Sequence, residues 1–345
     1  MASFETITTD RLTIRAMTPG DAESLWRRRN DPEAARYQNW TLPFSRARAD
    51  ELVASVADQD GPTNDEWWMA AVCERGSGDV VGDLAVHLTF DERCAEIGYT
   101  FARSCWGNGY ATEAAAAFVD WLVDDVGVAR VSGTTHPDNT ASVVVLERVG
   151  MRFEGHTRNS YWVGDENSDD WILGMTADER RSWRSRTRAA PVRVELGEIT
   201  PATIRTVERL ETHRSQQRFV SPISNSLARA LVPPIENGAP LKPWMRSVDA
   251  DGEIVGFVML SMITDAHPDP YLWRLLVDRC HQRRGIGRVA LDLVIAQARE
   301  WGADGLKVSW VDDEIGTPAP LYLAAGFVPT GEFDEGETVA RLDLT

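Results

Sequence analysis

Residues 101–123 read FARSCWGNGYATEAAAAFVDWLV, and residues 277–299 read VDRCHQRRGIGRVALDLVIAQAR, 176 positions further along the chain. In both stretches a glycine-rich turn leads into a segment with the apolar period of an amphipathic helix. The glycine before each helix, Gly109 or Gly285, is followed 41 residues later by another glycine, Gly150 or Gly326. A long spacing that occurs twice is typical of duplicated modules. The sequence therefore predicts two related domains in tandem.

The length and composition of the chain agree with two globular domains. A chain of 345 residues has the length expected of two domains, which we place at 1–176 and 191–345, with a polar, basic connector at 177–190. Hydrophobic residues make up 43% and charged residues 26%, enough for a core in each half. The net charge of −17 argues against a general nucleic-acid-binding protein and mildly favours cationic substrates.

Targeting and redox signals indicate a cytoplasmic protein without a metal centre. No apolar run reaches the length of a membrane-spanning helix, and residues 1–17 lack the basic and apolar regions of a signal peptide. The four cysteines have no paired metal-ligand spacing, and three of them fall in one half. We therefore expect reduced thiols, no disulfide framework and no bound metal.

The turn at 282–287, QRRGIG, has features of an anion-binding loop. Glycines allow a ligand to approach the backbone closely, and the free amides and the dipole at a helix start favour anions. Arg283, Arg284 and Arg288 add positive charge that suits phosphate groups. By itself the pattern also fits an ordinary strand-to-helix turn with a basic, solvated edge.

A dinucleotide-binding fold is the alternative, because GIGRVA at 285–290 matches G-x-G-x-x-A and Asp304 lies at a suitable distance for a ribose contact. In that fold the glycines follow the first strand of the domain directly. Here residues 278–284 separate the apolar strand from Gly285, and several predicted strands precede it. No P-loop lysine follows either glycine pair. We therefore favour a different phosphate-binding fold.

Taken together, the motifs resemble those of the GNAT superfamily of acyl-CoA-dependent N-acetyltransferases. The first half is similar to the RimJ/RimL type, and the second half resembles polyamine-acetyltransferase-like members. The motifs that carry the resemblance are TDRLTIR at 9–15, EIGY at 96–99, WGNGYATEA at 106–114, N-T-A-S…E-R-V-G-M at 139–151, LWRLLVD at 272–278, Q-x-x-G-x-G at 282–287 and L-Y-x-x-x-G-F at 321–327.

This resemblance implies an α/β (α+β) fold for each domain: a mixed, mostly antiparallel six- to seven-stranded sheet with helices on both faces. The fourth and fifth strands would splay apart to admit the pantetheine arm of acetyl-CoA, the acyl donor. The chain would be a monomer or a homodimer. The cofactor-binding residues implied are Phe101, Trp106, Gly107, Asn108, Gly109, Tyr110, Ala111 and Asn139 in the first domain, and Val277, Gln282, Arg283, Arg284, Gly285, Ile286, Gly287 and Arg288 in the second.

The first loop departs from the family pattern, and the proton-transfer residues differ between the halves. Trp106 stands at the usual Gln/Arg position, and Arg103 is the nearest cation in the sequence, so phosphate binding there would depend on backbone amides. The resemblance assigns Glu96 as the base that deprotonates the amine. It also places Ser142, with Asn139, near the leaving sulfur, although both residues equally fit a helix cap and first turn.

In the second domain Tyr322, four residues before Gly326, matches the general-acid tyrosine of the family, whereas Leu146 occupies that position in the first domain. A helical tyrosine also fits a core position. No base is evident in the second domain, where three neighbouring carboxylates serve equally well as loop residues. These are Asp312, Asp313 and Glu314. We interpret His136 and His281 as ordinary polar contacts.

The sequence thus predicts an acetyl-CoA-dependent N-acetyltransferase that acts on a primary amine of a small molecule or a peptide amino terminus, by direct transfer in a ternary complex. Two alternatives stay open. The amine could belong to an antibiotic or another natural product, as in resistance or tailoring. One domain could instead be a non-catalytic lobe that binds CoA or serves a structural role.

Overall fold

A computed structural model of the chain describes residues 3–313 and 316–345. The chain divides into two compact units, residues 1–185 and residues 186–345. Each unit contains its own large sheet and its own apolar core. The predicted connector does not stand apart as a separate segment. Its first part forms a helix within the first unit, and the rest begins the second.

The first unit alternates strands and helices in an order close to the predicted one. Its strands are β1 (Ile7–Thr8), β2 (Leu12–Ala16), β3 (Trp67–Glu74), β4 (Val80–Thr89), β5 (Cys94–Phe101), β6 (Arg130–Thr135), β7 (Arg152–Val163) and β8 (Glu166–Thr176). Its helices are α1 (Ala22–Arg29), α2 (Pro32–Ala35), α3 (Arg46–Ala57), α4 (Tyr110–Trp121), α5 (Thr140–Val149) and α6 (Ala177–Ser185). A π-helical turn, Leu122–Val126, extends α4.

The strands of the first unit form one mixed sheet in the order β1-β2-β3-β4-β5-β6-β8-β7. All neighbours are antiparallel except β5 and β6, which run parallel. Within the described residues this sheet has eight strands rather than six to seven, because the two-residue β1 adds an edge strand. Most residues of β3 and β4 are buried on both faces, as expected when helices cover a sheet from both sides.

The second unit repeats this plan. Its strands are β9 (Val194–Gly197), β10 (Ile235–Glu236), β11 (Ala239–Pro240), β12 (Pro243–Ala250), β13 (Glu253–Ser261), β14 (Tyr271–Val277), β15 (Gly305–Trp310), β16 (Val328–Asp334) and β17 (Glu337–Asp343). Its helices are α7 (Ile204–Glu208), α8 (Ile223–Leu231), α9 (Ile286–Glu300) and α10 (Ala319–Leu323).

The large sheet of the second unit has the order β16-β17-β15-β14-β13-β12-β9, which is the strand order of the first sheet without β1. Its parallel pair is β14 and β15. Among the described residues it contains seven strands, so the predicted sheet is confirmed here. The short hairpin of β10 and β11 and the helix α8 lie in residues 211–243, for which the sequence predicted no element.

Helix α6 is fastened to the first unit by a buried arginine. The Arg180 guanidinium bonds both carboxylate oxygens of Asp120, at 2.7 and 2.8 Å, and donates to the carbonyl oxygens of Ala116 and Val149. The Trp183 ring packs where a Cβ atom on Gly150 would lie. The left-handed backbone of Gly150, with φ of 112°, and this close approach together explain why a glycine ends α5.

Candidate active site

In each unit the two parallel strands pair over a short distance and then part. Strands β5 and β6 pair through Cys94, Ala95 and Glu96 only, and the rest of β5 has no register with β6. Strands β14 and β15 pair through Tyr271 and Leu272 only. Backbone groups beyond these pairs are therefore free to hydrogen-bond an inserted chain. This parting is the splay that the sequence predicted between the fourth and fifth strands of each domain.

A cleft of about 1430 Å³ opens in the first unit beside this splay. The Glu96 side chain lies on its wall and is half-buried. Within the described chain, Glu96 has no ion pair or hydrogen bond to its carboxylate. The register places Glu96 opposite His87, whose ring stacks on Trp67 with centroids 5.2 Å apart. Glu96 is thus a carboxylate held on a strand and open to a ligand in the cleft.

Carboxylates outnumber guanidinium groups along the cleft wall, and they come from several elements. Asp138 precedes α5, Asp165 lies in the turn between β7 and β8, and Glu166 and Asp170 are on β8. Neither Asp165 nor Glu166 forms an ion pair with another described residue. This part of the wall therefore presents unneutralised negative charge, which favours a cationic ligand.

Arginines and aromatic rings form another part of the wall. The Arg29 guanidinium lies over the Trp40 ring, 4.1 Å from its centroid, and Arg48 lies 5.1 Å from the centroid of Phe44. The His136 ring stacks on Tyr37 with centroids 5.0 Å apart, and its Nδ1 accepts the backbone N–H of Asp138. His136 is thus an ordered polar contact on the cleft wall, in agreement with the interpretation from the sequence.

The predicted loop before α4 has an open, uncapped helix start. Gly107 and Gly109 adopt left-handed backbone conformations, with φ of 77° and 79°, which explains the two glycines. Among described residues, no side chain caps the first turn of α4, which begins at Tyr110. The amides of Tyr110 and Ala111 therefore have no capping side chain, and their binding of an anion stays a prediction.

Arg11, a cation that the sequence did not single out, contacts this loop. Arg11 precedes β2, and its guanidinium donates to the carbonyl oxygen of Asn108 at 2.8 Å and lies over the Tyr110 ring, 4.7 Å from the centroid. The Glu113 carboxylate holds Arg11 through Nε at 2.7 Å. Sequence distance could not reveal this contact, because it joins the turn between β1 and β2 to the loop after β5. The loop thus has a cation in contact with it, and phosphate binding there stays a prediction.

Trp106 and Gln282 occupy equivalent positions and make the same bond. The Trp106 Nε1–H donates to the carbonyl oxygen of Phe101 at 2.9 Å, and the Gln282 Nε2–H donates to that of Val277 at 3.0 Å. Each bond ties the glycine loop to the last residue of the preceding strand. Trp106 therefore departs from the family pattern in residue type but preserves the geometry of the loop, because its indole N–H replaces an amide N–H.

Asn139 and Ser142 lie at the start of α5. The Asn139 side chain accepts the backbone N–H of Ser142 at 3.2 Å, so Asn139 is the helix cap that its sequence position allowed. The Ser142 hydroxyl lies 2.9 Å from the hydroxyl of Tyr99, a residue of β5. Tyr99 stands in the part of β5 that has left β6. The sequence did not single out Tyr99, although it ends the EIGY motif.

The loop before α9 repeats the first loop with one difference. Gly285 is left-handed, with φ of 80°, and Arg283 adopts φ of 63°, an unusual conformation for a residue with a side chain. No side chain of the described chain caps α9, whose first residue, Ile286, is buried. A Cβ atom on Gly287 would lie 3.8 Å from Val277, which is ordinary contact. The fold itself therefore does not require a glycine at 287.

Two of the three predicted phosphate-binding arginines are already engaged. Arg284 is buried: its Nε donates to the carbonyl oxygen of Ala189 at 2.8 Å, and its guanidinium bonds His281 Nδ1 at 3.0 Å. Arg288 pairs with Asp292 one helical turn later. The Arg284 side chain therefore holds the start of the second unit, and its contribution of charge to a phosphate stays a prediction. Its backbone amide stays a candidate ligand.

Tyr322 is buried against two aromatic rings. It stacks on Trp310 with centroids 5.9 Å apart and meets Phe327 edge-on at 5.8 Å. Burial, with the nearby charge of Glu337, raises the pKa of Tyr322. The phenol is therefore protonated at neutral pH. The core position is therefore confirmed, and the role of Tyr322 as proton donor stays a prediction.

Polar residues that the sequence did not identify lie at and beyond the short β14–β15 pairing. Burial raises the pKa of Tyr271 to about 12 and lowers that of Arg274. The Ser309 hydroxyl donates to the Glu337 carboxylate, and this charge acts on Tyr271, Arg274 and Tyr322 together. Glu337 is therefore a better candidate for the missing base than the predicted acidic loop. Its signal is absent from the sequence because β17 lies far from the loop motif.

The carboxylates of the predicted acidic loop are engaged in bonds that stabilise the fold around them. Asp312 accepts the Trp310 Nε1–H at 2.9 Å and the Thr338 hydroxyl at 2.7 Å, and Asp313 pairs with Arg218 at 2.8 Å. Glu314 lies outside the described residues. In residues 3–313 and 316–345 no cluster of His, Cys, Asp and Glu could hold a metal ion, and no helix is long and apolar enough to cross a membrane.

Comparison with known proteins gives matches in both units. The family model described as "Acetyltransferase (GNAT) domain" matches residues 11–152, and the one described as "Acetyltransferase (GNAT) family" matches residues 210–327. A curated relative is the uncharacterized N-acetyltransferase p20 of Bacillus licheniformis. It is 30% identical over 159 residues, which cover 45% of this chain and 87% of p20.

Two further proteins are similar over about half of this chain. The uncharacterized N-acetyltransferase YnaD of Bacillus subtilis is 26% identical over 173 residues, covering 50% of this chain and 98% of YnaD. The crystal structure of an acetyltransferase (GNAT family) from Bacillus anthracis is 26% identical and covers 50% of this chain and 99% of its own, with a TM-score of 0.45.

Proposed function

Because the chain belongs to the GNAT acetyltransferase family and is an acyltransferase of that type, we propose that its first unit transfers the acetyl group of acetyl-CoA to a primary amine. The acceptor is a small molecule or a peptide amino terminus that carries additional positive charge. Transfer is direct, within a ternary complex. The observation that supports this proposal most is the acidic cleft beside the β5–β6 splay, with Glu96 on its wall.

Acetyl-CoA would enter from the side of the glycine loop. Its pyrophosphate would meet the uncapped amides at the start of α4, with Arg11 as the nearby cation. The pantetheine arm would bond the free backbone groups of β5 beyond Glu96. This path brings the thioester to the start of α5, where Ser142 lies.

The acceptor would enter through the cleft on the other side. Asp165 and Glu166 present negative charge without a partnering arginine among described residues, and Asp138 is largely exposed. An ammonium group with a second positive charge along its chain would be attracted to both Glu96 and this rim. A neutral or anionic amine would gain much less binding free energy from these carboxylates. We therefore expect diamines, polyamines or basic peptides to be preferred.

The reaction needs two proton movements. Glu96 accepts a proton from the acceptor ammonium, directly or through a water, and the neutral nitrogen attacks the carbonyl carbon of the thioester. The C–N bond forms and the C–S bond breaks. The Ser142 hydroxyl gives its proton to the departing thiolate as its oxygen takes the second proton of the attacking nitrogen, and Glu96 returns its proton to solvent. The acetylated amine and CoA then leave.

An acceptor screen tests this proposal. Release of CoA from acetyl-CoA would be measured with polyamines, amino acids, basic and acidic peptides, and aminoglycosides, for the wild type and for Glu96→Gln. We expect turnover of polycationic amines that depends on Glu96. Preference for neutral or acidic acceptors, or CoA release no faster than hydrolysis without acceptor, would contradict the proposal.

The alternative that one domain is a non-catalytic lobe has a specific observation in its favour. The loop arginine of the second unit, Arg284, is buried in a structural role, and this is the observation in question. The second unit still has a candidate proton donor, Tyr322. We therefore propose that the second unit binds CoA more weakly and contributes less to turnover. The aminoglycosides in the acceptor screen test the other alternative, in which the acceptor is an antibiotic or another natural product.

A further inference from the structure

Two arginines lie close together on the aromatic part of the first-unit cleft wall. Arg29 is the last residue of α1, Arg48 lies on α3, and both line the cleft. Their guanidinium groups pack on the same ring, that of Phe44, at 5.4 and 5.1 Å from its centroid. The cleft therefore has a positively charged part, formed by these two residues, in addition to its acidic rim.

Neither guanidinium group has a negatively charged partner among the described residues. Arg29 and Arg48 form no ion pair and no side-chain hydrogen bond with that part of the chain. The Arg29 Nε atom is enclosed, whereas its two Nη groups are not and can meet a ligand. The charge of Asp83 acts on Arg29, but this carboxylate already bonds Arg28 at 2.8 and 3.3 Å. Glu51 also lines the cleft and pairs with neither arginine. The positive charge of the two residues is therefore available to a ligand.

The aromatic surroundings hold Arg29 in place. Its guanidinium lies 4.1 Å from the Trp40 ring centroid, and the Trp40 Nε1–H donates to the Arg29 carbonyl oxygen at 2.9 Å. Asn30 fixes Phe44 through two hydrogen bonds with its backbone, at 2.9 and 3.0 Å. Burial lowers the pKa of Arg29, and the charge of Arg48 acts in the same direction. An ordered, largely buried cation without a counter-charge is unfavourable, and a bound anion would remove much of that cost.

We infer that Arg29 and Arg48 form the binding site for a carboxylate of the acceptor, so that the preferred small acceptor is a diamino acid rather than a diamine alone. A planar guanidinium matches a carboxylate in geometry as well as in charge. The carboxylate of the acceptor would contact the two arginines, one ammonium would reach Glu96, and the acidic rim would attract the other. This inference rests on the proposed function, since it places the acceptor in the cleft of the first unit.

The test compares lysine with lysinamide, in which a neutral amide replaces the carboxylate, and with cadaverine, which lacks it. In the full-length protein, CoA release gives kcat/KM for each amine, and calorimetry in the presence of CoA gives Kd. In Arg29→Gln and in Arg48→Gln we expect the lysine-to-lysinamide ratio of affinities to fall roughly tenfold, the usual effect of losing a charge-assisted hydrogen bond. Cadaverine should bind at least as well as to the wild type. Comparing each variant with the wild type cancels the different basicities of the three amines.

Arg46→Gln is the matched control and should keep the wild-type ratio, since Arg46 lies on α3, pairs with Asp50 and does not line the cleft. A ratio unchanged in both cleft variants, or equal losses for lysine and cadaverine, would overturn the inference. Arg48 is exposed, so Arg48→Gln should keep the wild-type thermal midpoint and stays decisive if Arg29→Gln destabilises the fold. The proposed function fails separately, if turnover does not depend on Glu96, whereas calorimetry still measures the ratio.

Discussion

At the scale of single residues, Glu96 offers the most direct test of the chemistry. It is half-buried on the cleft wall, and no described residue neutralises it. We expect Glu96→Gln to lower kcat at neutral pH by roughly 10²–10⁴-fold, the usual contribution of a general base. The loss should shrink toward pH 10, where more of the acceptor amine is already neutral. Rate measurements from pH 6 to pH 10 would show this convergence.

The control for Glu96→Gln is Glu33→Gln, which makes the same change on an exposed residue of α2. It should leave the pH profile unchanged. CoA affinity of Glu96→Gln should also stay near the wild-type value, because Glu96 is not part of the glycine loop. A rate ratio between Glu96→Gln and wild type that stays constant across the pH range would contradict the role of base.

A separate prediction concerns the Tyr322 hydroxyl as proton donor in the second unit. A Glu96→Gln background suppresses the first unit most at neutral pH, and there Tyr322→Phe should lower the second unit's part of the remaining turnover by roughly 10²–10⁴-fold. Since burial raises the pKa of Tyr322, the phenol stays protonated below about pH 10. The remaining activity should therefore show no alkaline fall from this group below that pH.

The phenylalanine keeps the stacking of Tyr322 on Trp310, so the thermal midpoint should change little. This separates the hydroxyl from the ring. If Tyr322→Phe leaves the remaining activity unchanged, Tyr322 has a packing role only.

At the scale of elements, the start of α9 can be altered without straining the fold. A Cβ atom at Gly287 would meet only Val277, at 3.8 Å. Glu at this first-turn position suits the helix dipole but places a carboxylate where a pyrophosphate would bind. We expect Gly287→Glu to remove one CoA site in calorimetry, with Gly287→Ala as the control that keeps it. Unchanged stoichiometry in the glutamate variant would exclude this loop as the CoA site.

Helix α6 gives a stability prediction. Arg180 is buried and holds Asp120 and two carbonyl oxygens, whereas Arg181 on the same helix is half-exposed and pairs with the exposed Asp178. Arg180→Ala should lower the free energy of unfolding of the first unit by about 2–3 kcal/mol. This is less than the ~3–5 kcal/mol typical of a fully buried pair, because Arg184 also bonds Asp120.

Chemical denaturation monitored by tryptophan fluorescence would measure this loss. Arg181→Ala is the matched control and should change stability by no more than about 0.5 kcal/mol. Equal effects of the two substitutions would mean that α6 does not depend on its buried arginine.

Periodicity and turn residues were sufficient to predict β5, β6, β14, β15 and the helices that follow the glycine loops. Helix α8 and the β10–β11 hairpin were missed because residues 211–243 mix proline, polar and apolar residues without a clear period. The site shows the same division. Loop residues near one another in sequence were found. Arg11, Tyr99 and Glu337 were missed, because their contacts with the glycine loop, α5 and β15 join segments far apart in sequence.

At the scale of the whole molecule, the negative charge of the protein should strengthen the binding of a cationic acceptor. The chain carries a net charge of −17, and the cleft rim adds local carboxylates. Long-range attraction of this kind is screened by salt, with a Debye length of about 10 Å at 0.1 M and about 3 Å at 1 M. A cationic acceptor should therefore bind less well as salt rises, while chemistry at the thioester should not change.

The test compares a linear triamine with a monoamine of similar length between about 0.02 and 0.5 M NaCl. We expect the KM of the triamine to rise roughly tenfold, with kcat constant, and that of the monoamine to rise less than about threefold. The double variant Asp165→Asn, Glu166→Gln should flatten the triamine response. Asp10→Asn with Asp178→Asn, which removes two exposed carboxylates that do not line the cleft, should leave it steep. If both double variants flatten the response equally, net charge rather than the cleft rim selects the acceptor.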